Sequence, residues 1–178
     1  MIKTLMISLL SLFSFFDESG IYSIRITKFD GTTISLSDYS GRKILITALD
    51  PSGNSKPLLK LIDSVNATFP GLISIAVPSY EYGGTAADSL VRNITGSDKY
   101  KAIITIPEYV TKSSNSIQHG LFKWLTNVKE NGHFDSDVRG SGQIFIINET
   151  GVLYAVLDRG ASFADISYAL NQKLIAGY

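Results

Sequence analysis

The stretch Lys43-Ile44-Leu45-Ile46-Thr47-Ala48-Leu49 constrains this chain more than any other. Side chains of a strand alternate between two faces, so a run that is apolar at nearly every position buries both of them. Such a strand needs a covering layer on each side. Leu72 to Val77 and Gly142 to Ile147 repeat the pattern. Between the first two runs, Leu58, Leu61, Ile62 and Val65 fall at helical spacing, with Ser55 as N-cap and Pro57 in the first turn of a helix reaching about Thr68. Strands alternating with helices predict an α/β fold, a central mixed β-sheet flanked by helices on both faces.

The remaining elements follow the same rules. Ile21 to Lys28 alternates Tyr22, Ile24 and Ile26 with polar residues, Asp30-Gly31 is a tight-turn signal, and Thr32 to Leu36 returns as a second strand, so an N-terminal β-hairpin is expected. Pro70-Gly71 ends the first helix. Pro78 to Gly84 reads as a loop, Thr85 as the cap of a helix through about Ile94, and Lys101 to Ile106 as a strand. Ile117, Leu121, Trp124, Leu125 and Val128 lie on one helical stripe. Asn148-Glu149-Thr150-Gly151 joins the strands Gly142–Ile147 and Val152–Leu157, and Ser162 caps a last helix to about Ile175. The terminal hairpin followed by a helix resembles the ending of a thioredoxin-like fold.

With 178 residues and no evident linker, one domain is expected. Sixteen basic residues balance sixteen acidic ones without a basic stripe, which argues against a nucleic-acid partner or a polybasic membrane-surface role. The first residues differ. Lys3 precedes an apolar run from Leu5 to Phe16, closed by Asp17-Glu18-Ser19-Gly20. A positive start and a short apolar core read as a signal peptide over residues 1–19, or as an N-terminal membrane anchor, with the domain in residues 20–178. The expected location is periplasmic or secreted, with no membrane span after signal removal.

Four segments give the chain a resemblance to the glutathione peroxidase family. Phe29-Asp30-Gly31 through Leu36-Ser37-Asp38-Tyr39-Ser40-Gly41-Arg42-Lys43 resembles the family's opening hairpin and its turn into the first core strand. Val77-Pro78-Ser79-Tyr80-Glu81-Tyr82-Gly83-Gly84 is similar to "FPCNQFGG". His119-Gly120-Leu121-Phe122-Lys123-Trp124-Leu125 matches "HPLYKWL", the most specific of the four. Gln143 to Asn148 with Gly151 resembles "KFLVD..G". The resemblance runs from about Ile21 to the last helix and implies a thioredoxin-like fold.

The resemblance also implies hydroperoxide reduction by a Cys or selenocysteine, helped by a Gln, a Trp and an Asn. That chemistry runs through a low-pKa thiolate and an oxidised sulfur or selenium. This chain has no cysteine at all. Carried over by position, the nucleophile falls on Ser52 when the loop Asp50-Pro51-Ser52-Gly53-Asn54 is one residue shorter, and on Gly53 without that gap. The Gln position is Glu81, and the Trp and Asn positions are Gly140 and Ser141. No catalytic residue is assigned. Asp50, Ser52, Gly53, Asn54, Glu81 and Ser141 are binding candidates around the former site.

Each reading has a plainer alternative. Ser52 is a turn-capping loop residue, since neither His119 nor His133 comes with a nucleophile elbow and an acid partner. Glu81 is a solvated loop acid, and His119 a helix-start packing or capping residue. His133, Asp135 and Asp137 alternate as metal ligands would, but without a fourth donor they are solvated polar residues, so no metal and no cofactor is expected. Asn66, Asn93 and Asn148 each open an Asn-X-Thr sequon. The expected function is an exported, glutathione-peroxidase-like domain without thiol peroxidase activity, serving as a binding or interaction module for an unidentified protein or small molecule. The alternatives are an enzyme using Glu81 and Asp50 as acid and base, a structural subunit whose partner covers the former site, and a peroxidase-family role in oxidative-stress response by homology only.

Overall fold

The computed structural model describes residues 20–52, 55–83, 87–97 and 99–172. The expected leader, the binding candidates Gly53 and Asn54, the cap Thr85 and the end of the last helix lie outside the described residues. Five strands form one sheet: β3 (Ile44–Leu49), β4 (Ile73–Pro78), β5 (Ile103–Ile104), β6 (Ile144–Ile147) and β7 (Leu153–Leu157), in the order β5-β4-β3-β6-β7. β1 (Arg25–Thr27) and β2 (Thr33–Ser35) form the expected antiparallel hairpin. β3 runs parallel to β4, with Ile44 opposite Ile73 and Leu49 opposite Pro78, and antiparallel to β6, with Ile44 opposite Ile147. All six residues of β3 are buried, as the two-sided apolar run requires.

The sheet separates two apolar layers. On one side Ile44, Ile46, Ile75, Val77 and Phe145 meet Leu121, Phe122, Trp124 and Leu125 of α4 (Gly120–Thr126). On the other, Leu45, Leu49, Ala76, Ile144 and Ile146 meet Leu59, Ile62 and Val65 of α1 (Ser55–Thr68), Ile94 of α3 (Ala87–Ser97), and Ile166 and Leu170 of α6 (Phe163–Asn171). The hairpin continues the sheet past its short edge strand. Phe29 N donates to Ile104 O at 2.9 Å and Ile106 N to Thr27 O at 3.0 Å.

Three local expectations are corrected. Gly20–Ser23 is a 3-10 turn, so the first strand starts at Arg25. The turn seats Ile21 and Tyr22 on the β6–β7 turn, where a Cβ on Gly151 (φ +83°) would lie 2.7 Å from the Tyr22 ring. Packing there overrides the period-two pattern. The expected Pro78–Gly84 loop contains a helical turn, α2 (Tyr80–Gly83). The expected Ile117–Val128 helix is divided. A 3-10 segment spans Lys112–Ile117, α4 begins after His119, and Asn127 is extended (φ −122°, ψ 114°) before α5 (Val128–Asn131). Asn127 is the C-cap of α4 and the side-chain N-cap of α5, and Ile117 (57% exposed) and Val128 (39%) fall outside the buried stripe.

Candidate functional site

The loop after β3 is held from several directions. Asp50 N donates to Ser141 Oγ at 2.8 Å, and Ser55 Oγ, at the start of α1, donates to Asp50 O. Gly142 N donates to Ala48 O at 2.9 Å, which lays the segment before β6 against the end of β3. Within the loop, Ser52 N and Ser52 Oγ both donate to Asp50 Oδ1, at 2.8 and 2.6 Å. Ser52 is exposed, and its hydroxyl proton points at a carboxylate that closes an Asx turn. Among the described residues no histidine is hydrogen-bonded to it. The structure therefore brings Asp50, Ser52 and Ser141 together as a pinned turn.

Glu81 departs from the solvated loop acid expected of it. Five donor groups converge on its carboxylate: Val110 N (3.0 and 3.1 Å), Thr111 N (2.9 Å), Thr111 Oγ1 (2.9 Å), Ser114 Oγ (2.6 Å) and Ser79 Oγ. A carboxylate offers about four lone-pair sites, so this one is saturated. Burial pushes the Glu81 carboxyl up, but hydrogen bonds from Ser114, Ser79 and the Thr111 and Val110 amides outweigh it and hold the group at about 2. At neutral pH Glu81 is a fixed anion that staples α2 to the Val110–Ser114 segment. A group so placed has no proton to give and no free lone pair with which to take one, which weighs against the acid–base alternative.

Other candidate positions are packed against this chain's own side chains. Pro51 is buried against α2, and a Cβ on Gly83 would lie 2.6 Å from Pro51 Cγ. Gly140 (φ +135°), which the resemblance sets against the family's Trp, lies beside Arg159, whose Cδ would be 2.9 Å from a Cβ there. An indole at that position meets the Arg159 stem. Tyr82 follows Glu81 with its hydroxyl buried and without a hydrogen-bond partner among the described residues. Burial first, then the charges of Glu81 and Asp137, push it up to about 12. Beside this cluster a groove of about 360 Å³ is lined by Pro57, Leu58, Leu61, Ser141, Gly142, Gly160 and Ala161. Ser141 belongs to both.

His119 is the expected capping residue. Its Nδ1 accepts from Leu121 N at 3.2 Å at the start of α4, and its Nε2 faces Glu108 Oε1 at 3.8 Å. Burial pushes His119 down and Glu108 up, each toward its neutral form. The alternating set near α5 does not converge. His133 is exposed, Asp135 pairs with Lys112 Nζ at 2.6 Å, and Asp137 Oδ1 accepts from Lys112 N and Val138 N at 2.8 and 2.7 Å. Among the described residues no group of three or more His, Cys, Asp or Glu side chains is placed to hold a metal ion.

Sequence reasoning missed the donors to Glu81, the buried hydroxyl of Tyr82 and the approach of Arg159 to Gly140. The hydroxyl-dense stretch Thr111-Lys112-Ser113-Ser114 was the available signal for a buried acceptor nearby. Nothing in the sequence places Arg159 beside Gly140, because the two meet only through the β6–β7 hairpin.

The five-stranded mixed sheet with helices on both faces and an N-terminal hairpin defines a thioredoxin-like fold. No family model matches the chain, and no curated protein does. Solved structures do, among them glutathione peroxidases. Trgpx in apo form superposes with a TM-score of 0.66 at 15% identity, covering 85% of this chain and 93% of that one. T. cruzi GPX1 gives 0.67 at 22% identity, with coverages of 85% and 94%. A secreted Mycobacterium tuberculosis disulfide oxidoreductase gives 0.54 at 9% identity, with coverages of 83% and 93%. The chain is thus a cysteine-free protein with the fold of a glutathione peroxidase.

Proposed function

We propose that this chain is an exported glutathione-peroxidase-like domain without thiol peroxidase activity, which works by binding rather than by turnover. The observation that carries this reading is the state of the nucleophile position. Ser52 stands there with its hydroxyl donated to Asp50, and the Gln, Trp and Asn positions hold a saturated carboxylate, a glycine beside Arg159, and a serine engaged by the Asp50 amide. A hydroxyl cannot be cycled through a sulfenic or selenenic state. The groove beside Ser141, with Pro57, Leu58, Leu61 and Ala161 on its walls, is the place for a partner protein or small molecule to dock; the Asp50–Ser52 turn adjoins it through the Asp50 amide bonded to Ser141. Gly53 and Asn54 remain binding candidates in this proposal.

Export is supported by the charged-then-apolar start of the chain and by the secreted nature of one structural neighbour. Among the described residues no helix is long and apolar enough to cross a membrane. Two measurements test the proposal. NADPH oxidation coupled to glutathione or thioredoxin, with hydrogen peroxide and lipid hydroperoxides as substrates, should stay at background for metal-free protein, and robust turnover overturns the loss of activity. The mass of the mature protein from the exported fraction should lack the residues up to about Ser19, and an intact cytoplasmic chain overturns export.

A further inference from the structure

Three segments of the chain, Asn66-Ala67-Thr68, Asn93-Ile94-Thr95 and Asn148-Glu149-Thr150, carry the acceptor pattern for N-linked glycan, and the fold treats them very differently. The reacting atom is the carboxamide nitrogen Nδ2. In Asn66 that nitrogen is buried and shut off from solvent, while Oδ1 accepts from Ser74 Oγ at 3.0 Å across to β4. Asn148 is only 6% exposed. Its Oδ1 accepts from Thr150 N, Thr150 Oγ1 and Val152 N at 3.0, 2.9 and 2.8 Å and so shapes the β6–β7 turn. Asn93 lies on the exposed side of α3, whose buried residues Ala87, Val91 and Ile94 face the core.

We infer that Asn93 is the N-glycan acceptor of this chain, an inference that rests on its export. In the transfer, Asn93 Nδ2 attacks C1 of an oligosaccharide carried on a polyprenyl diphosphate. The C1–N bond forms, the C1–O bond to the diphosphate breaks, the lipid diphosphate leaves, and Nδ2 gives up one proton. Nothing is oxidised or reduced. The chain meets the transferase extended, so the three sequons compete there on equal terms, and folding sorts the products. A glycan on Asn148 blocks the β6–β7 turn. One on Asn66 must force its nitrogen out from under β4. One on Asn93 projects into solvent and leaves both apolar layers intact.

The test expresses the full chain in insect cells in two forms, with its own residues 1–19 and with a foreign cleavable signal in their place. Secreted protein is treated with peptide N-glycosidase F, and its peptides are mapped for Asn-to-Asp conversion. The expected result is a single occupied site at Asn93, a mobility shift that N93Q abolishes, and a shift that T68A leaves unchanged. Protein secreted by the foreign signal with Asn93 unmodified, or with glycan on Asn66 or Asn148 in the folded fraction, overturns the inference. If only the foreign-signal form is secreted, with Asn93 occupied, the export reading fails and the site stands.

Discussion

Replacing Glu81 by Gln puts back the residue that the resemblance places there, yet it should destabilise this protein. The carboxyl is held at about 2 against an ordinary 4.5. At about 1.4 kcal/mol for each tenfold change in proton affinity, the ceiling on that preference is about 3.4 kcal/mol. Glu81 is partly exposed, and solvent screening brings the expected figure down to about 2 kcal/mol. Counting hydrogen bonds gives a similar answer. A neutral amide keeps one acceptor oxygen, so bonds from Ser114 and Ser79 lose their charge assistance or their acceptor, at about 1 kcal/mol each. The sign with pH follows from the lowered value. The contribution is complete above pH 4.5 and is lost as pH falls through about 2. Urea unfolding of both proteins, followed by tryptophan fluorescence, should show a gap of about 2 kcal/mol at pH 7 that narrows steadily between pH 5 and pH 2. A gap below 0.5 kcal/mol at neutral pH, or one that does not change with pH, would refute the staple.

Three further outcomes are expected. Tyr82→Phe removes a buried hydroxyl that has no partner among the described residues; it should raise the urea midpoint, by about 1 kcal/mol of stability, and a loss of that size would mean the hydroxyl is satisfied. His119→Ala should cost about 1 kcal/mol through the lost cap, whereas His119→Asn keeps an acceptor and should cost less. Since burial lowers the native His119 value, the wild type should lose stability relative to His119→Asn as pH falls below 6.5 through the native value, and parallel pH profiles would contradict this. Ser52→Cys should stay near background in the coupled peroxidase assay, because Glu81, Gly140 and Ser141 still stand at the helper positions; turnover at the level of active relatives would show that those helpers are dispensable.

The fold was legible because its strongest signals are long and local. The Lys43–Leu49 run, the Leu58, Leu61, Ile62 and Val65 stripe and the Ser162 cap each report on a single element, although the face α1 buries carries Leu59, with Leu58 and Leu61 only partly buried. Boundaries slipped where tertiary contact decides, as at Ile21–Ser23, held by the distant Gly151 turn, and at Asn127, where two short helices meet. At the site, the resemblance supplied candidate positions, but sequence misjudged their surroundings. A single Glu in a loop reads as solvated, and its burial here depends on five donors, four of which lie about thirty residues away in Val110–Ser114. The approach of Arg159 to Gly140 depends on a hairpin return that no short window contains.

The pairing of β3 with β6 also bears on how this chain comes to be folded. The central strand meets its parallel neighbour β4 about thirty residues on, but its antiparallel neighbour only about a hundred residues on. Until Ile147 has left the ribosome, one edge of this central, two-sided apolar strand stays open. Ile44–Leu49 is then a ready template for pairing with another nascent chain. Under the export proposed above, that edge has to be kept from self-association through most of the chain's synthesis.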